Sequence, residues 1–122
     1  MNKPVTTNAS IKIINFDYLN EVTGGDQDML KQVLNAYTVH LPGDLAELKK
    51  LVHSGDYLNA GLVAHKVKSS ARILGIESAV WLADIERSAK SNTDTHLIPE
   101  KLQLSEANLE QALKEISQIL SA

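Results

Sequence analysis

One stretch of the chain concentrates residues that can do chemistry: Ala64-His65-Lys66-Val67-Lys68-Ser69-Ser70-Ala71-Arg72-Ile73-Leu74-Gly75. Laid on a helix, Val63, Val67, Ser70 and Leu74 cluster within about 60° and mark a buried line. His65, Lys68 and Arg72 fall on the opposite side, with Gly61 and Ser69 beside them. The spacing therefore predicts a histidine that faces water, with a cation at i+3 and small residues at i−4 and i+4. A surface imidazole spends much of its time neutral near pH 7, and a neutral ring carries a nucleophilic nitrogen. A phosphoryl group attached there would bring nearly two negative charges within reach of Lys68. One such contact near 4 Å is worth on the order of 4 kcal/mol of raw Coulomb energy at an effective dielectric of 20, before desolvation and entropy. Gly61 and Ser69 leave room for the group and for a partner's active site. Leu58 and Leu62 lie toward His65 one and two turns back, either as a docking patch or as packing against a neighbouring helix. Arg72 either touches a partner or serves as a solubilising charge.

Taken alone, His65 is a solvated surface histidine and Lys68 a solvated helix charge; their interest lies in the joint spacing. The other histidines read structurally. His40 sits near Pro42, His53 in the last turn of a helical segment where positive character suits the helix dipole, and His96 in a loop. No His pair at i and i+4 and no Glu-x-x-His pair occurs, so no metal site is expected. Trp81 lacks the interleaved basic residues of a base-stacking platform. Gly24-Gly25 matches neither nucleotide-binding fingerprint, so no ATP site is expected.

The elements that must hold this stretch are helices. A first short helix is expected over about 15–22, ended by Gly24-Gly25. Asp26 caps a second, whose stripe runs Leu30, Leu34, Tyr37, Leu41; Pro42 predicts a kink or break before Leu45, Leu48 and Val52 resume it. Asp56 caps the third, which runs to Leu74 and stops at Gly75. A fourth covers about 77–90 with Ser78, Leu82, Ile85 and Ala89 inward. After a loop at 91–98, Pro99 opens a last helix with Leu102, Leu109, Leu113, Ile116 and Leu120 on one face. Residues 1 to about 12 read as a mobile tail, with Ile11, Ile13 and Ile14 docking on the core. Short connections favour antiparallel neighbours. The expected fold is all-α: an antiparallel up-down four-helix bundle with a short additional N-terminal helix, one domain over 1–122.

Composition agrees. The 122 residues are 43% hydrophobic and 22% charged, ordinary for a single soluble domain. Phe16, Tyr18, Tyr37, Tyr57 and Trp81 are the only aromatics, so the core falls to Leu, Ile, Val and Ala. A net charge of −3 lacks the basic footprint of a nucleic-acid binder. No apolar run is long enough for a membrane span, and the first residues lack a signal-peptide pattern. With no cysteine, the expectation is a cytoplasmic protein. The initial Met reads as a stand-alone protein or the excised end of a larger hybrid kinase.

These residues resemble the histidine-containing phosphotransfer family, whose third helix carries His-x-x-Lys-Gly-Ser-Ser/Ala-x-x-Leu/Ile/Val-Gly. His65 matches the phospho-acceptor, Lys68 the phosphate-contacting lysine, Ser70 and Ala71 the small pair, Leu74 the apolar position and Gly75 the closing, helix-packing glycine. Ser69 replaces the commoner glycine. The resemblance extends over about 15–92, through FDYLNEVTGGDQDML, LPGDLAELKKLVHSGD and LADIERSAKSN. It implies a stoichiometric phosphoryl carrier rather than an enzyme, with no cofactor of its own. Its partners would be receiver domains of response regulators or hybrid kinases, which supply the divalent metal, with Leu58, Leu62, Gly61, Ser69 and Arg72 at the contact. The family also bonds the active imidazole from the fourth helix, often with a glutamine where Arg87 stands here. Arg87 cannot accept from the ring, which leaves Glu86 and Asp84 as candidates. A monomer is expected. The competing class is a helical adaptor that binds a partner through the same face without moving a phosphoryl group.

Overall fold

The computed structural model describes residues 12–122. The expected tail lies outside the described residues apart from Lys12, as does Ile11. Five α-helices and one short 3-10 turn make up the described chain, with no strand among the described residues. They are α1 (Asp17–Thr23), α2 (Gln27–His53), α3 (Tyr57–Leu74), α4 (Ser78–Ser91) and α5 (Ile98–Ser121), the 3-10 turn being Thr95–Leu97. Among the described residues, no helix is long and apolar enough to cross a membrane.

The helix ends follow from local chemistry. Gly24 adopts the left-handed conformation (φ +63°), and the Gly25 N–H reaches back to the Asn20 carbonyl, closing α1. The Asp26 carboxylate accepts from the backbone N–H groups of Asp28 and Met29, and Asp56 accepts from Asn59, so α2 and α3 start on capping side chains. Gly75 (φ +64°) ends α3, while the Ile76 N–H bonds the Ala71 carbonyl. Pro99 lies in the first turn of α5, where its missing N–H costs nothing.

Two expectations about elements need correction. Pro42 does not break its helix: α2 runs without interruption through it. The ring is exposed, and Thr38, whose carbonyl loses its donor, is only half-buried, so water can serve that carbonyl. Leu41 and Leu45, on either side, are buried and anchor both halves to one core. The second correction concerns the roll of α3. Its buried line is Ala60, Ala64, Val67, Ala71 and Leu74, with Gly61 also buried, while Val63 and Ser70 are only half-buried. The helix is turned by about 50° from the expected line, half the angular step of one residue. Alanines permit this, because they let α4 approach closely, and α3 packs most extensively on α4.

In α4, Ser78, Leu82, Ile85 and Ala89 are all buried, as the spacing predicts. In α5, Leu102, Leu109 and Ile116 are buried, with Leu113 and Leu120 packed against them. The core is shared by α2 to α5: α2 packs on α3 and α5, and α4 on α3 and α5. α1 packs on α2 and α3.

The segment before α1 is held by polar contacts that no spacing announces. Glu115, buried on α5, accepts from the backbone N–H of Ile13 (2.9 Å to Oε2) and of Ile14 (3.2 Å to Oε1). The Asn15 N–H then bonds the Leu74 carbonyl at 3.0 Å. This brings the chain against Gly75, where an added Cβ would lie 2.8 Å from the Asn15 Cβ. Gly75→Ala therefore meets both a left-handed backbone and a clash. The expected loss is about 1–3 kcal/mol of stability, read as a lower urea midpoint with unchanged m-value. A midpoint within error of wild type would refute the close approach.

Candidate functional site

His65 stands in the middle of α3, and its side chain is 60% exposed. Across the α3–α4 seam, its Nδ1 lies 2.8 Å from Oε2 of Glu86. The other oxygen, Oε1, accepts from Lys68 Nζ at 2.6 Å. One carboxylate thus ties together the two residues at the i and i+3 positions of α3. Lys68 is only 12% exposed and Glu86 16%. The roll of α3 explains why Lys68 is tucked in rather than projecting into water: it moves the lysine toward the α4 side.

The charges fix the ring chemistry. The ammonium of Lys68 bonded to Glu86 holds its carboxyl below the usual glutamate range, against desolvation and with help from His65. An ionised carboxylate can only accept, so the proton of a neutral His65 ring sits on Nδ1 and donates to Glu86. The lone pair is then on Nε2, directed away from Glu86. Because the folded-state value of Glu86 is depressed, its ion pairing contributes stability that is present above the ordinary glutamate range. That contribution is lost as pH falls through the depressed value. Glu86→Gln should therefore flatten the acid limb of stability. The gap between wild type and variant is full near neutrality and closes below about pH 4. Urea titrations at a series of pH values test this, and parallel curves would contradict it.

Close helix approach makes the contact possible. Gly61 is buried, and an added Cβ would sit 3.2 Å from the Ala89 Cβ. The expectation that Gly61 lies on the open face is thereby corrected: it sits at the floor of the seam, where small residues on both helices let Glu86 reach His65. Ser69 is exposed as expected, and its hydroxyl donates back to the His65 carbonyl at 3.1 Å, leaving the space beside the ring clear.

Leu58 and Leu62, the residues with two open readings, do not pack on a neighbouring helix: they are 77% and 67% exposed. With Gly61, His65, Glu86 and Lys90 they line an apolar groove along the seam. Arg72 is exposed two turns from His65, in a separate hollow with Tyr18, Ser69 and Ile73. Lys66 is exposed and pairs with Asp44 of α2 at 3.1 Å.

Of the three fourth-helix candidates, only Glu86 meets the ring. Arg87 Nη1 donates to Asp84 at 2.9 Å, and Asp84 also faces Lys101 at 3.3 Å, so these form a separate cluster. Periodicity held a signal for this. With Ser78, Leu82, Ile85 and Ala89 inward, Glu86 lies about 70° from the buried direction and Arg87 about 170°. Lys90, one turn beyond Glu86, lies about 110° from that direction, is exposed and borders the groove at its rim. Among the described residues, no group of three or more His, Asp or Glu side chains could hold a metal ion.

No protein-family model, curated protein or solved structure matches this chain.

Proposed function

We propose that this protein is a histidine phosphotransfer module of a two-component phosphorelay, taking a phosphoryl group on His65 from a receiver-domain aspartate and passing it to another. One observation carries this function: an exposed imidazole whose Nδ1 is engaged by an ionised Glu86, leaving Nε2 as the free nucleophile. In the transfer, the Nε2 lone pair attacks phosphorus as the bond to the aspartyl oxygen breaks. That electron pair leaves with the partner's carboxylate. The ring keeps its Nδ1 proton, and Glu86 offsets the positive charge that develops there. The return step reverses these movements. The receiver contributes the divalent metal and the aspartate, and this chain contributes a positioned nucleophile. It is a stoichiometric carrier, not an enzyme, and needs no cofactor of its own.

The scaffold in this reading is an antiparallel up-down four-helix bundle of α2 to α5 with α1 added. It is supported by the short links at 54–56 and 75–77 and by the packing of each helix on two neighbours. The resemblance of the sequence over about 15–92 supports the same class. Cytoplasmic location, a monomeric state and receiver domains as partners belong to the proposal. The test is to charge a receiver with a radiolabelled small phosphodonor and mix it with this protein. Label that appears on the chain, survives base and is lost in acid supports the carrier. A folded protein that takes no label from several receivers would favour an adaptor that binds without transfer.

A further inference from the structure

The geometry points to Lys68 as a positioning residue that acts on His65 through Glu86, rather than as a ligand of the phosphoryl group. Its kinetic test rests on the carrier reading of His65; its spectroscopic test does not.

Lys68 is the least accessible of the three linked side chains, and its Nζ is 2.6 Å from Oε1 of Glu86. An ammonium drawn fully over to a group on His65 Nε2 would give up a short charge-assisted bond. It would then leave a mostly enclosed carboxylate with one bare oxygen, beside an incoming dianion. Held where it is, Lys68 cancels the Glu86 charge and spares the phosphoryl group that repulsion.

The bond also constrains the carboxylate. The terminal torsion of a glutamate is broad, so a single contact to the ring would not fix its plane. Lys68 on Oε1 fixes that plane and leaves Oε2 aimed at Nδ1. The lysine thereby selects the ring form that carries its proton on Nδ1, whereas a free histidine side chain prefers it on Nε2. The Nε2 lone pair, outward and unprotonated, is the consequence for chemistry. A cation that serves only an incoming phosphate would have no effect on the ring before phosphate arrives.

The experiment reads the His65 tautomer by long-range proton–nitrogen correlation NMR, at a pH where all histidines are neutral. His65→Gln assigns the signal, and circular dichroism checks each variant's fold. Wild type is expected to show the Nδ1–H form. Lys68→Met should shift the ring toward the Nε2–H form, and Lys68→Arg should restore it. In parallel, phosphoramidate serves as a partner-free donor. Lys68→Met should slow labelling about tenfold in the wild-type background and by less than about twofold in a Glu86→Gln background. An unchanged tautomer in Lys68→Met, or an equal loss in both backgrounds, overturns the assignment. If no histidine takes label from any donor, the carrier reading fails, and the tautomer comparison still decides the role of Lys68.

Discussion

His65→Gln yields a protein that folds like wild type and takes up no phosphoryl group. Both halves of that expectation come from the same side chain. With 60% of it in solvent and its side-chain hydrogen bond going to Glu86, the imidazole contributes little to the core. Its loss should cost less than about 1 kcal/mol, and the glutamine amide can still donate to Glu86. The lone pair on the amide nitrogen is delocalised into its carbonyl, so the variant has no nucleophile at this position. Label from a charged receiver or from phosphoramidate should fall to background, while circular dichroism and the urea midpoint stay near wild type. Retained label on His65→Gln would move the acceptor to another residue. His40, His53 and His96 are the alternatives, all exposed and none within the seam that holds Glu86. An adaptor would instead keep its partner binding in this variant and show no label in either protein.

The helices and the outward placement of His65 were legible in the sequence because both depend on local spacing. Asp26, Asp56, Gly24 and Gly75 punctuate the chain by short-range hydrogen bonds and left-handed backbone, which residue type alone dictates. The placement of Ser78, Leu82, Ile85 and Ala89 followed from a pattern with one clear apolar face. α3 was harder. Val63 and Ala64 offer adjacent stripes of different bulk, and a pattern weighted by hydrophobicity favours the valines. Packing favoured the alanines, since the distance between α3 and α4 is set by the smallest residues at the seam. That choice tucked Lys68 inward and brought Glu86 under the ring. The Glu115 clamp on Ile13 and Ile14 had no local signature at all, because its partners are about a hundred residues apart. Pro42 misled for a related reason: a helix breaker was outweighed by buried leucines on both sides of it.

Replacing both Leu58 and Leu62 by alanine should separate docking from chemistry. The two side chains project from successive turns of α3 on the His65 side, 77% and 67% exposed, and form the apolar wall of the groove at the seam. Exposed leucines contribute little to folding, so the urea midpoint should stay within about 0.5 kcal/mol of wild type. Covered by a partner, each would bury apolar surface worth about 1–2 kcal/mol. The pair then accounts for a roughly 30- to 1,000-fold weaker encounter with a receiver. The chemistry at Nε2 needs neither leucine, because Glu86 holds the ring from the other helix and Lys68, one turn beyond His65, holds Glu86. Direct labelling by phosphoramidate should therefore stay within about twofold of wild type, while transfer from a charged receiver at sub-saturating concentration falls steeply. Raising the receiver concentration should recover much of the rate, since association and not the bond-making step is impaired. Equal losses with both donors would tie the leucines to the shape of the site itself. Unchanged transfer would mean that the receiver approaches His65 from the Tyr18–Arg72 side, the other hollow beside α3.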